Sequence, residues 1–75
     1  MKTYIVVIET IDDTFEDIQD FIYNEFSLVE DVDLTGQFGN SYRIQVTTKD
    51  DFNYNTFEDA MDNAGYDTEF IELYK

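Results

Sequence analysis

The chain has 75 residues, with 18 Asp and Glu against four Lys and Arg, and its formal net charge is −14. It contains no His and no Cys, which excludes imidazole bases, thiol nucleophiles, thiolate metal sites and disulfides. A chain this short buries only about 60% of its unfolded surface, so we expect one small domain over residues 1–75.

Enzymatic activity is not expected from the remaining residue types. Paired carboxylates can catalyse only in a cleft that separates their pKa values, and every acidic residue here is predicted on a solvated face. Residues 31–36 resemble the start of a calcium-binding loop, but its twelfth position is Tyr42 instead of the required Glu. We therefore expect no catalytic residue, no metal and no cofactor.

The first apolar run, residues 3–8, is too short for the core of a signal peptide or for a membrane span, and acidic residues follow it at once. We therefore expect a cytoplasmic protein that does not contact a membrane.

Residues 2–10 are β-branched and apolar almost throughout, which is typical of a strand covered on at least one face. A polar turn follows, and the spacing of Asp13 and Glu16 fits a capped helix start. This predicts a helix over residues 13–26.

At about 100° per residue this helix has two opposed faces. Its apolar face is formed by Phe15, Ile18, Ile22 and Phe26, and its acidic side by Asp13, Glu16, Asp17 and Asp20.

Residues 29–38 and 40–48 alternate with a period of two on either side of a Gly39-Asn40 turn signal, so they predict a β-hairpin. A polar loop with aromatic residues is expected over residues 50–54.

A second helix is predicted over residues 56–64, capped by Asn55 or Thr56 and ended by Gly65. Phe57, Ala60, Met61 and Ala64 share one side, and the acidic residues lie opposite. Residues 68–74 form the last predicted strand.

The predicted order is β-α-β-β-α-β, which is the ferredoxin-like α+β arrangement. Right-handed crossovers in this arrangement place both helices on one face of a four-stranded antiparallel sheet. The outward sides of the helices then form one surface without Lys or Arg, and we call its members the helix acids: Asp13, Glu16, Asp17, Asp20, Glu58, Asp59 and Asp62.

A row of acids on a helix is most often a solvated face. Such faces usually interleave Lys with Glu at i,i+4 spacing, whereas Asp13/Asp17 and Glu16/Asp20 put like charges there and lose about 0.2–0.5 kcal/mol per pair. A surface that lowers stability in both helices is easier to explain if its charge has a use.

In size, charge and these acidic helix rows, the chain resembles the small DNA-mimic proteins of phages and mobile elements, which inhibit DNA-binding host enzymes, restriction systems or CRISPR effectors. The resemblance implies that the helix acids bind the basic surface of a host nucleic-acid-binding protein. It rests on class features without a family motif, so it implies no individual target. Direct nucleic-acid binding is not expected, because only Lys2, Arg43, Lys49 and Lys75 are basic.

The loop after the hairpin provides further candidate contact residues. Phe52 and Tyr54 lie beside Asp50 and Asp51, and aromatic residues within a charged rim are typical of interaction hot spots. Tyr23 borders the acidic side of the first helix in the same way. Packing onto the small core is an equally good interpretation of these aromatic residues.

Two other functional interpretations stay open. The open sheet face would present Ile5 and Val7 beside Arg43, Gln45 and Thr47, with Ile71 and Leu73 from the last strand. A regulatory or assembly module could bind, or form a homodimer, through this face while its charge only maintains solubility. Adaptation to a salty cytoplasm is the third interpretation, and it predicts unfolding in dilute buffer.

Overall fold

Residues 1–74, which the computed structural model describes, form six elements in the order β-α-β-β-α-β. The elements are β1 (Lys2–Glu9), α1 (Phe15–Glu25), β2 (Val29–Phe38), β3 (Ser41–Thr48), α2 (Tyr54–Asn63) and β4 (Asp67–Tyr74). The predicted element order is confirmed.

The four strands form one sheet in the order β2-β3-β1-β4, and all neighbours in it are antiparallel. β1 is an inner strand, in agreement with apolar residues on both of its sides: Tyr4, Val6 and Ile8 on one, Ile5 and Val7 on the other. The ferredoxin-like α+β fold is confirmed.

The core lies between one face of the sheet and the two helices. Ile18 and Ile22 of α1 and Phe57 and Met61 of α2 are fully buried against the sheet, whose inward residues include Val6. These are the apolar helix faces that the sequence predicts. Phe26, just after α1, packs against Phe57 with ring centroids 4.9 Å apart, so the end of α1 lies beside the first turn of α2.

The first helix begins two residues later than predicted. Thr14 is its N-cap: the Thr14 hydroxyl accepts a hydrogen bond from the Asp17 amide at 3.4 Å, and the Asp17 carboxylate accepts one from the Thr14 amide at 3.1 Å. This reciprocal capping box satisfies two otherwise free amides, and it replaces the predicted pairing of Asp13 with Glu16.

The second helix begins two residues earlier than predicted, because Asn53 and not Asn55 or Thr56 is the N-cap. The Asn53 side chain accepts a hydrogen bond from the Thr56 amide at 3.2 Å, so Tyr54 lies in the helix. Gly65 follows the helix with φ of 92°, the left-handed conformation that glycine adopts without strain.

Neither helix within residues 1–74 has the length and apolar character needed to cross a bilayer.

Candidate acidic interface

The structure brings the helix acids to one side of the molecule, since α1 and α2 cover the same face of the sheet. Glu16, Asp17, Asp20, Asp59 and Asp62 are exposed, whereas Asp13 and Glu58 are half-buried. Neither helix contains a Lys or Arg.

Three of the helix acids have a local role. Asp17 caps α1, as described above. Asp13 lies beside the buried Tyr66 ring; burial, and then this carboxylate, raise the pKa of Tyr66 to about 12. Burial, and to a smaller extent the Glu58 carboxylate, likewise raise the pKa of Tyr54.

The other four helix acids, Glu16, Asp20, Asp59 and Asp62, are exposed and belong to neither ion pair found among residues 1–74. We call them the free helix acids. Glu16 and Asp20 are one helical turn apart, and Asp59 and Asp62 are three residues apart, so neighbouring carboxylates carry like charges about 5–6 Å apart at the Cβ atoms. Both pairs lower the stability of their helix.

Two cations, the terminal amino group and Lys49, lie at the opposite end of the sheet from the start of α1. The terminal amino group of Met1 lies 2.9 Å from Asp50, and the Lys49 ammonium lies 4.0 Å from Glu30. A hydrogen bond and attraction from the terminal amino group lower the pKa of Asp50. Asp50 and Asp51, two of the predicted contact residues, are both exposed. Asp50 has a countercharge within ion-pair distance.

The aromatic contact residues predicted in the loop after the hairpin belong to the core. Phe52 is 7% exposed and packs against Tyr4 and Phe57, with centroid distances of 5.4 and 5.6 Å. Tyr54 is half-buried and stacks on Tyr4 at 5.4 Å. Phe52 is thus buried instead of exposed as predicted, because its ring packs on Tyr4 and Phe57; contact of Tyr54 with a partner stays a prediction.

Tyr23 has a structural contact as well. Its hydroxyl accepts a hydrogen bond from the Val32 amide at 2.9 Å and donates one to Asp31 at 3.2 Å. The Gln19 amide donates to the Val32 carbonyl at 2.9 Å. Side chains of α1 thus occupy the amide and the carbonyl of Val32, two of the backbone groups of edge strand β2 that a further strand would need.

The open face of the sheet is acidic, which the sequence reasoning missed. Cross-strand pairs share a face, and the register places six acids in the rows opposite the helices: Glu9, Asp31, Asp33, Asp67, Glu69 and Glu72. Arg43 lies among them. Of the six acids, the Asp31 carboxylate turns at the sheet edge to the Tyr23 hydroxyl.

The apolar residues predicted for this open face are largely covered. Ile5 is 6% exposed, Val7 is half-buried, and Leu73 packs against the core on the helix side. For Leu73 the cause is a register shift between β1 and β4: Ile5 pairs with Glu72 and Val6 with Phe70, which places Leu73 opposite the core residue Tyr4. Ile71, 41% exposed, is the one predicted β4 residue that stays accessible. Homodimer formation through this face stays a prediction.

Metal binding finds no support in the geometry of the described chain, where no group of three or more acidic side chains is arranged to hold an ion. A shallow pocket between the end of α1 and the start of α2 is lined by Phe26, Leu28, Asp51 and neighbouring residues. Comparison with protein-family models, curated proteins and solved structures gave no match for this chain.

Proposed function

We propose that this protein binds the basic, nucleic-acid-binding surface of another protein and blocks it. The partner would be a host protein such as a CRISPR effector, a restriction enzyme or another DNA-binding factor. The observation that supports this best is the set of free helix acids, which are exposed and have no cation on either helix. Their spacing is one at which like charges are expected to lower helix stability.

The physical basis is charge complementarity. A surface that binds nucleic acid carries Lys and Arg that neutralise phosphates and release condensed counterions. A rigid row of carboxylates can neutralise the same cations. Association of this kind is steered by the field of a molecule with a net charge of −14, and it weakens steeply as salt rises.

The test uses two variants of equal charge. The helix variant carries Glu16→Gln, Asp20→Asn, Asp59→Asn and Asp62→Asn. The control variant carries Glu25→Gln, Glu30→Gln, Asp33→Asn and Glu72→Gln, all of them exposed. Both variants change the formal net charge from −14 to −10, so they differ in where the charge is lost. Asp17 is left unchanged because it caps α1.

Each variant and the parent protein are immobilised and loaded with the heparin-binding fraction of a bacterial lysate. We expect the parent and the control variant to retain proteins that duplex DNA releases, and the helix variant to lose them. Equal retention by the two variants would show that only total charge matters. Retained proteins that duplex DNA does not displace would refute the proposed site on the partner.

The alternative of a module acting through its open sheet face has less support. Ile5 is covered and Leu73 is directed to the core, so the centre of this face offers little of the apolar area that such a contact needs. Its most exposed apolar residue, Phe38, lies at one end of edge strand β2. The control variant, which removes two open-face acids, also reports on this alternative.

A further inference from the structure

The two most exposed large apolar side chains lie at the same end of the sheet. Ile11 is 83% and Phe38 is 81% exposed. The Thr10 amide donates a hydrogen bond to the Asn40 carbonyl at 3.0 Å, which ties the loop after β1 to the turn between β2 and β3. Ile11 follows this junction directly, and Phe38 is two residues from Asn40.

Phe38 shares a row of the open face with two acidic side chains. Phe38 pairs with Ser41, Ser41 with Glu9, and Glu9 with Asp67, so the four residues form one row across the sheet. Glu9 and Asp67 are directly opposite, an arrangement of like charges that lowers stability. We call Ile11, Phe38, Glu9 and Asp67 the tip.

A groove continues from the tip along β1 and β4. It is lined by Val7, Glu9, Asp67, Thr68 and Glu69. Val7, with carboxylates around it, suits a Lys or Arg side chain. The aliphatic part of such a side chain packs on apolar surface while its charged group contacts the carboxylates.

The fold itself does not require Ile11 or Phe38, because neither belongs to the core cluster. Their exposure to water is unfavourable, and such residues inside a polar rim are typical of binding surfaces. The terminal amino group and Lys49 lie at the other end of the sheet, and Arg43, in the next row, is the basic residue nearest to the tip. A second copy would bring Glu9 and Asp67 of two molecules together, so charge favours a basic partner.

We propose that the tip docks into an apolar recess bordered by Lys or Arg on the partner, with Phe38 and Ile11 in the recess and a basic side chain in the groove. The class of partner rests on the proposed function. The new element is the position of the contact, at the end of the sheet and continuous with the start of α1, and its dependence on apolar burial as well as charge.

The test measures binding of two synthetic peptides at about 0.15 M NaCl. One is a lysine peptide with a central pair of leucines, and the other has glycines in place of the leucines. Three proteins are compared: the parent, a tip variant with Ile11→Ser and Phe38→Ser, and a control variant with Ile71→Ser and Tyr74→Ser. The control removes two exposed apolar side chains elsewhere and no charge, and thermal melts check that all three are folded.

We expect the parent and the control variant to bind the leucine peptide more tightly than the glycine peptide, by roughly tenfold or more. Buried apolar anchor residues contribute most of the binding energy of an interface. The tip variant should lose this preference, and amide shifts of the parent should centre on residues 7–11, 38–41 and 67–69. The same tip variant should be retained less in the duplex-DNA competition described above.

Equal affinity for the two peptides, or an unchanged leucine preference in the tip variant, would overturn the tip as the contact. Amide shifts confined to α1 and α2 would overturn it as well, while still supporting the proposed function. No binding of either peptide would also overturn the tip proposal. The proposed function fails separately, if the helix variant and its equal-charge control (Glu25→Gln, Glu30→Gln, Asp33→Asn, Glu72→Gln) behave alike in the DNA competition.

Discussion

Replacement of Asp20 by Lys tests the premise that the helix acids lower stability. Glu16 and Asp20 are exposed and one turn apart on α1, so their like-charge pair loses about 0.2–0.5 kcal/mol. Asp20→Lys removes that loss and creates an acid-to-base pair in the favourable direction, which gains a similar amount. Lys also has a higher helix propensity than Asp, by roughly a few tenths of a kcal/mol. We expect a gain of about 0.5–1.3 kcal/mol in the free energy of unfolding.

The measurement is thermal unfolding followed by circular dichroism, where about 1 kcal/mol corresponds to about 4–8 °C for a domain of this size. Asp20→Asn removes only the repulsion and should give about half of the gain. Asp33→Lys is the matched control for net charge, because Asp33 is on the open face and its cross-strand partner Gln45 is neutral.

The difference between Asp20→Lys and Asp33→Lys isolates the local helix effect from the general relief of self-repulsion. It should shrink as NaCl rises from about 0.01 M to about 1 M, because the Debye length falls from about 30 Å to about 3 Å. If Asp20→Lys is no more stable than Asp33→Lys at low salt, the helix acids carry no stability cost. The energetic reason for assigning them to binding would then be refuted.

Three further changes test the packing around the site. Thr14→Ala removes the capping box with Asp17 and should lower the free energy of unfolding by about 1 kcal/mol in urea titrations; an unchanged value would contradict the capping geometry. Tyr54→Phe should leave stability unchanged or raise it by up to about 1 kcal/mol, since the Tyr54 hydroxyl is buried without a hydrogen-bond partner among the described residues. The pKa of Tyr66, raised from 10.0 to about 12 by burial and Asp13, contributes stability that is complete below about pH 10 and lost as pH rises through about 12. Tyr66→Phe should therefore reduce the alkaline loss of stability, and an equally steep loss would contradict the assignment.

Local patterns were sufficient to predict the fold. The spacing of Ile18 and Ile22 indicated the buried side of α1, and that of Phe57 and Met61 indicated the buried side of α2. The Gly39 turn signal placed the hairpin. These features depend on periodicity and turn chemistry within about ten residues of chain, which a sequence shows directly.

The site was predictable only in part, because the features that the sequence failed to predict depend on tertiary contacts. Asn53, Asn55 and Thr56 are all acceptable N-caps by residue type. Packing of Phe52 and Tyr54 on Tyr4 favours Asn53, and this packing buries Phe52 and leaves Tyr54 half-buried. No local pattern distinguishes these starts.

The acidic open face depends on a register that the sequence does not display. A strict period of two in β4 puts Glu69, Ile71 and Leu73 on one side, as the sequence reasoning assumed. The irregular pairing with β1 instead brings Glu72 beside Ile5 and Leu73 to the core side. Bulges of this kind arise from strand pairing. The sequence alone therefore could not show that the acids at both ends of β4 share a face with Asp31 and Asp33.

Charge and exposed apolar area would act on different steps of binding. The terminal amino group and Lys49 lie at one end of the sheet and the tip at the other, so in the proposed complex the field of the molecule would direct the tip toward the basic surface. Long-range charge sets the association rate, and that rate falls with salt. In the proposed complex, desolvated contacts of Phe38 and Ile11 would set how long the complex lasts, because affinity differences between related complexes lie mostly in dissociation. Loss of the free helix acids should therefore slow association, and loss of the tip residues should speed dissociation at every salt concentration.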